Sequence, residues 1–249
     1  MRFILPHYNF FDSFRMPRLP SWWYAFVHLF YPQLCVACNA AMPSSSRQCF
    51  CFSCRSKIEP TTFHESKEND ISERLWGRLP IESAAALYYF DKKGPVQLAL
   101  HHLKYKNQPD IGKRLGRLLG TQLYSSPLFQ DINCIVPVPL HPKKERKRGY
   151  NQSMAFALGL ADALQLPVYD NTLARQQDTV SQTNKHRMER FQNVGQVFLL
   201  KQTKDIAGKH VLLVDDVLTT GATLEFCGNL LLSVPGVKIS IATIAVARN

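Results

Sequence analysis

The sequence predicts an α/β protein, a doubly wound parallel sheet with a small metal-held module ahead of it. Three observations carry this reading. Short unbroken apolar runs, Cys134 to Val138 and Val211 to Val214 among them, have the character of strands buried on both faces, as a parallel sheet requires. Helical patterns separate those runs, so the connections are crossovers rather than tight hairpins. Five of the seven cysteines crowd into the stretch from Cys35 to Cys54, ahead of the strand–helix alternation.

A chain of 249 residues with 45% hydrophobic content suits one core domain with an appendage. The net charge is +11, and much of it is local: Lys104 to Arg148 holds ten Lys and Arg against three acidic residues. Such clustering favours polyanionic partners, meaning diphosphates, nucleic acid or both, over a merely solvated face. No run approaches the roughly 18 apolar residues of a membrane-spanning helix. Arg2 is followed by only Ile4 and Leu5 before Pro6, which is not a signal-peptide pattern, so a cytoplasmic location is expected. Residues 1–34 read as an N-terminal extension in which Trp22 to Tyr31 forms an amphipathic docking helix, with Met16 an alternative start.

The cysteines fall into two groups. Cys134 and Cys227 stand alone in apolar or helical surroundings and read as inert core thiols. Cys35-x2-Cys38 and Cys51-x2-Cys54 are two knuckles whose four thiolates suit a structural, fully coordinated Zn²⁺. The segment between them is polar and rich in serine, so a metal would have to hold it together. Cys49 competes with Cys51 for one position, and the regular spacing favours Cys51. Residues 35–60 are therefore expected to form a zinc ribbon, residues 61–79 a linker or loose helix, and residues 80–249 the sheet domain.

Within that domain Ile81 to Phe90 reads as a strand, turned by Asp91-Lys92-Lys93-Gly94. Helical spacing follows at Val96 to Tyr105 and again at Ile111 to Leu123, where Lys113, Arg114 and Arg117 lie on the polar face. After the strand at Cys134 to Val138 comes a charged loop, PLHPKKERKRGYNQS, on the rim at that strand's carboxyl end. Met154 to Leu164 reads as a helix, capped by Asn151 or Ser153. Leu166 to Val168, Val197 to Leu200 and Val237 to Val246 supply further strands.

The most informative stretch is Val211 to Thr223, VLLVDDVLTTGAT. The buried strand ends in Asp215 and Asp216, and the turn Thr219-Thr220-Gly221-Ala222-Thr223 opens a helix. Ligands of open α/β sheets sit at the carboxyl ends of strands. A Thr and Gly turn at a helix start offers N–H groups, hydroxyls and a positive dipole end, which together hold a phosphate monoester. Twin carboxylates repel phosphate but suit vicinal hydroxyls or hydrated Mg²⁺. A single ligand satisfies both halves: phosphoribosyl pyrophosphate (PRPP) with Mg²⁺. The turn lacks the lysine and wide glycine spacing of a Walker loop.

This stretch resembles the PRPP motif of type I phosphoribosyltransferases. The chain as a whole, from about Pro32 onward, resembles the competence protein F (ComF) family, in which a zinc ribbon precedes a phosphoribosyltransferase domain. The likeness rests on the cysteine pairs, Leu103-Lys104-Tyr105, the VPVPLH and RGYNQ pieces between Val136 and Gln152, the VLLVDDVLTTGAT stretch, and a later pattern of Arg175, Thr179, Gln182, Arg187 and Asn193 with Phe198.

The resemblance implies that Thr219, Thr220, Gly221, Ala222 and Thr223 bind the 5′-phosphate and that Asp215 and Asp216 face the ribose hydroxyls. It implies further that Lys143, Lys144, Arg146 and Arg148 contact the diphosphate, with Lys104 and Arg175 as additional anion contacts. Gln177 to Arg190 is read as a flap over the site or a surface loop. The family's role in natural transformation implies single-stranded DNA as a partner, together with DNA-uptake or helicase proteins. Two functions stand open: a competence factor binding PRPP-type ligands and single-stranded DNA, or a transferase moving phosphoribose to an acceptor that the sequence does not identify. Trp22, Trp23, Tyr24, Phe50 and Phe52 are candidate stacking residues for the former.

Overall fold

The computed structural model describes residues 32–43, 48–175 and 198–248. The docking helix at Trp22 to Tyr31, the flap at Gln177 to Arg190, and Thr179, Gln182, Arg187 and Asn193 lie outside them. The described chain begins with a small antiparallel pair, β1 (Gln33–Leu34) and β2 (Ala41–Met42), followed by the short helix α1 (Phe52–Arg55). The stretch expected to be a linker or loose helix holds a 3₁₀ turn at Phe63–Glu65 and the helix α2 (Asp70–Leu75). Asn69 and Ser72 cap α2 reciprocally, and its Ile71 and Leu75 are fully buried. Two apolar anchors in six residues are too few for a periodic signal, which is why the helix does not stand out in the sequence.

The domain proper runs β3 (Ala84–Phe90), α3 (Pro95–Tyr105), α4 (Pro109–Ser125), β4 (Cys134–Pro137), α5 (Pro142–Arg148) and α6 (Gln152–Leu164). It continues through β5 (Leu173–Arg175), β6 (Phe198–Leu200), β7 (His210–Leu218), α7 (Ala222–Leu232) and β8 (Lys238–Ala247). Proline at the first position starts α3, α4 and α5, where its missing N–H costs nothing.

The main sheet has the order β3-β8-β7-β4 and every pairing in it is parallel. Alternate residues of its strands feed two cores. Ala85, Leu87, Ile135, Leu212, Val214 and Ile244 pack under α3, α4, α6 and the cysteine module. Ala84, Ala86, Val136, Val211, Leu213 and Ile241 pack under α2, α7 and the β5–β6 hairpin. That two-sided burial explains the unbroken apolar runs.

Two strand expectations and one loop expectation need correction. Phe198–Leu200 pairs antiparallel with β5 in a separate hairpin rather than joining the main sheet. Leu166 to Val168 contributes a single parallel bridge, Ile135 to Val168. The charged stretch from Lys143 to Arg148 is helical, because Pro142 and the His141 cap start a turn and Gly149, at φ 84°, ends it.

Helices α4 and α6 touch backbone to backbone. A Cβ added at Gly159 would fall 2.1 Å from the Lys113 carbonyl oxygen, and one at Gly116 would fall 2.2 Å from that of Phe156. No helix among the described residues is long and apolar enough to cross a membrane.

Candidate functional site

Strand β7 does not stop at its carboxylates but carries them within its last turns, ending at Leu218. Successive residues of a strand face opposite sides. Asp216 therefore meets α3, where Lys104 Nζ lies 2.8 Å from its Oδ2. Asp215 accepts hydrogen bonds from the Ser153 hydroxyl and the Asp216 N–H, both at 2.8 Å and both on Oδ1. Burial, reinforced by the charge of Asp216, pushes the Asp215 carboxyl up to about 7, against the pull of those two donors and of Lys104.

The block Gly149-Tyr150-Asn151-Gln152-Ser153 is what brings these elements together. The Tyr150 hydroxyl donates to the Leu103 carbonyl, one residue before Lys104. The Asn151 amide donates to the Val138 carbonyl at 2.9 Å, while its oxygen accepts from the Ser153 N–H at 3.1 Å and so caps α6. The ends of α3, β4 and α6 are thereby held against the end of β7. Ser153, considered from sequence only as a cap, is the direct partner of Asp215.

Beyond β7, Gly221 at φ 81° turns the chain into α7; as N-cap it offers no side chain, and the one side-chain contact to the first turn is a long hydrogen bond, the Thr220 hydroxyl accepting from the Ala222 N–H at 3.5 Å. Thr219 and Thr220 are exposed, and the carbonyls of both are engaged from behind. Arg74 donates to the Thr219 oxygen at 2.9 Å and also to the Ala247 carbonyl. Arg78 donates to the Thr220 oxygen at 3.2 Å and pairs with Glu225 in α7. With the carbonyls drawn toward two guanidinium groups, the amide side of the turn and the positive end of α7 are left to an anion. Arg74 and Arg78 were not legible as site residues, since both fall in the stretch that reads as a linker.

The other expected anion contacts are more dispersed. Lys143, Lys144 and Arg146 are exposed on α5, and no hydrogen bond or ion pair joins them to either aspartate. Arg148 is turned inward, donating to Gln152 Oε1 at 2.7 Å, with its guanidinium 5.3 Å from the Tyr105 ring centre. Arg175 stacks on Phe198 at 5.1 Å, and its buried Nε has no hydrogen-bond partner among the described residues. Cys227 in α7 is fully buried, and its thiol is raised first by burial and then by the charge of Asp215.

A second constellation lies in the N-terminal module. The sulfurs of Cys35, Cys38, Cys51 and Cys54 all lie within 4.8 Å of one another, with Cys38 and Cys51 at 3.6 Å. A tetrahedral site with metal–sulfur bonds of about 2.3 Å needs sulfur separations of roughly 3.8 Å, so the four are placed to hold a metal ion. Burial opposes ionisation of Cys35, but the N–H groups of Cys51, Cys38 and Ala37 directed at its sulfur bring it down to about 6. Cys49 sits apart in the core, 4% exposed, and burial raises its thiol to about 12. Phe50 is buried beside it, while Phe52 is 88% exposed.

Residues 151–249 match the phosphoribosyl transferase domain family. The chain is similar to competence protein F of Haemophilus influenzae, 28% identical over 210 residues that cover 82% of this chain and 86% of that protein. It is similar to the DNA utilization protein YhgH of Salmonella typhimurium, 32% identical over 145 residues, covering 57% of this chain and 63% of that one. It is also similar to competence protein ComFC of Bacillus subtilis, 23% identical over 214 residues, covering 80% of this chain and 84% of that one.

Proposed function

We propose that this chain, a homologue of the competence protein F, ComFC and YhgH group with a phosphoribosyltransferase domain, is a cytoplasmic competence protein that binds PRPP and single-stranded DNA. The observation that carries the PRPP part is the end of β7. Twin carboxylates there stand beside a turn whose carbonyls are held back by Arg74 and Arg78. The exposed turn and the start of α7, where only the long Thr220 contact would have to yield, take the 5′-phosphate, and Asp215 and Asp216 take the ribose hydroxyls. Mg²⁺, when bound with the ligand, supplies charge neutralisation for the diphosphate. Lys104, whose Nζ lies 2.8 Å from Asp216, is assigned to the ligand's diphosphate. The cysteine cluster is assigned to a structural Zn²⁺, which its sulfur set and spacing favour. The exposed cations of α5 are assigned to phosphates of a single strand, where such contacts give affinity that falls with salt.

Calorimetric titration with PRPP and Mg²⁺ tests the first assignment. The parent protein should bind and the Asp215→Asn/Asp216→Asn variant should not; a flat isotherm for the parent refutes it. Steep salt dependence of oligonucleotide binding, reduced by charge reversal at Lys143, Lys144 and Lys147, tests the second.

The second reading, a working transferase, is favoured by the match of residues 151–249 to the transferase domain family. Diphosphate released from PRPP only when a particular base is added would establish it.

A further inference from the structure

We propose that the cavity between the cysteine module and helices α4 and α6 is a second ligand site, shaped for a nucleotide unit, meaning a planar base carrying phosphate. The cavity measures about 780 Å³ and shares no lining residue with the aspartate site. That volume lies within the roughly 300–1,000 Å³ of small-molecule sites.

Its surface combines two chemistries. Phe50, Tyr88 and Leu115 give an apolar wall, with the Phe50 and Tyr88 rings edge to face at 6.2 Å between centres. Arg55 from the module and Arg114 from α4 give positive charge, and neither forms an ion pair with a described residue. The third arginine, Arg117, is already neutralised, donating twice to Asp162 Oδ2 at 3.0 and 2.7 Å. The acidic lining residue is thus committed, and two cations remain for a ligand.

These features select among ligands. A bare inorganic anion would leave the aromatic wall unused. A neutral apolar ligand would leave two arginines to be desolvated without partners, which is costly. A base with its phosphate uses both, because rings stack on aromatic faces and guanidinium groups bind phosphate in a planar fork. The Tyr88 phenol, raised to about 12 chiefly by burial, stays a neutral donor at any physiological pH.

The nucleotide unit has two sources, a single strand or a free nucleotide. The strand would deepen the DNA reading above and rest on it; the free nucleotide would not. Either locates the ligand away from α5, so the two assignments fail separately.

The test uses the full chain with three probes: a labelled oligothymidylate, thymidine 5′-monophosphate and inorganic phosphate. The Arg55→Ala/Arg114→Ala variant should bind the oligonucleotide or the mononucleotide about tenfold or more weakly, with a salt slope shallower by about two for the oligonucleotide. An oligonucleotide effect alone identifies the strand, and an equal mononucleotide effect identifies the free nucleotide. Parent-like binding of both by the variant overturns the proposal, as does inorganic phosphate competing as well as the mononucleotide. Independently of any variant, light-induced crosslinking of a 4-thiothymidine oligonucleotide should mark Phe50 or Tyr88. Oligonucleotide crosslinks confined to α5, together with parent-like mononucleotide binding by the variant, overturn the proposal while leaving the DNA reading intact.

Discussion

Replacing Asp215 by Asn should stabilise the fold while removing PRPP binding, and the gain should grow with pH. The Asn side chain keeps the oxygen that accepts from Ser153 and from the Asp216 N–H, so the geometry at Oδ1 survives. What disappears is the cost of ionising a partly buried acid beside Asp216. The carboxyl titrates at about 7 in the folded chain, against an ordinary value of 3.8. A raised folded value means that the native state holds its proton longer than the unfolded chain. Its contribution to stability is therefore full below pH 3.8, falls as pH rises toward 7, and levels off above. Relative to a side chain that never ionises, the parent loses about 2–3 kcal/mol between pH 5 and pH 8, taking about 1.4 kcal/mol for each pKa unit. Urea unfolding of both proteins at the two pH values reads this directly, since titrating groups remote from Asp215 cancel in the difference. An Asn-minus-Asp stability difference that changes by less than about 0.5 kcal/mol between pH 5 and pH 8 would refute the reasoning.

Other perturbations test the surrounding construction. Arg78→Met should weaken PRPP binding by about tenfold, the scale of one lost charged hydrogen bond, while barely shifting the melting temperature because the Glu225 pair is largely exposed; unchanged affinity by calorimetry would count against the turn mechanism. Gly159→Ala forces a methyl to 2.1 Å from the Lys113 oxygen, so α4 and α6 must part, at a cost of about 3 kcal/mol or more by urea unfolding. Cys51→Ser should lose bound zinc by elemental analysis whereas Cys49→Ser keeps it, since only the former sulfur lies in the four-sulfur cluster. Equal zinc in both variants would reassign the site.

The fold and the site differ in how far the sequence exposes them. Val211 to Val214 is legible as a strand because both faces of β7 are buried, so no polar residue interrupts the run. The Asp-Asp and Thr-Thr-Gly pieces are legible as a candidate site because a ligand carrying both a diol and a phosphate would need them in that order. Strand Phe198–Leu200 is harder: three residues carry too little pattern to separate a hairpin from a sheet strand. Lys143 to Arg148 reads as a loop because charge hides the helical turn that Pro142 and Gly149 delimit. Arg74 and Arg78 escape altogether. Their role depends on where α2 packs, and a contact 142 residues apart leaves no local trace. Gly116 and Gly159 escape for the same reason, since their value lies in the approach of two helices rather than in either helix alone.

The pieces that read as separate motifs form one hydrogen-bonded unit around the end of β7. Tyr150 holds the Leu103 carbonyl, Asn151 holds the Val138 carbonyl, and Ser153 holds Asp215, so one short segment ties α3, β4 and α6 to the central strand. Lys104 then closes the arrangement on Asp216. Around neutral pH the cluster counts one cation, one carboxylate and one carboxyl shared between its two protonation states. It is thus close to neutral before a ligand arrives, with the positive end of α7 as its uncompensated field. An anion carrying its own divalent cation suits such a site better than a bare anion does. Such a cation, bound here, would stabilise both carboxylates in their charged form and free Lys104 for a phosphate. That exchange would let the carboxylates and the proposed phosphate turn share one rim without repelling a common ligand.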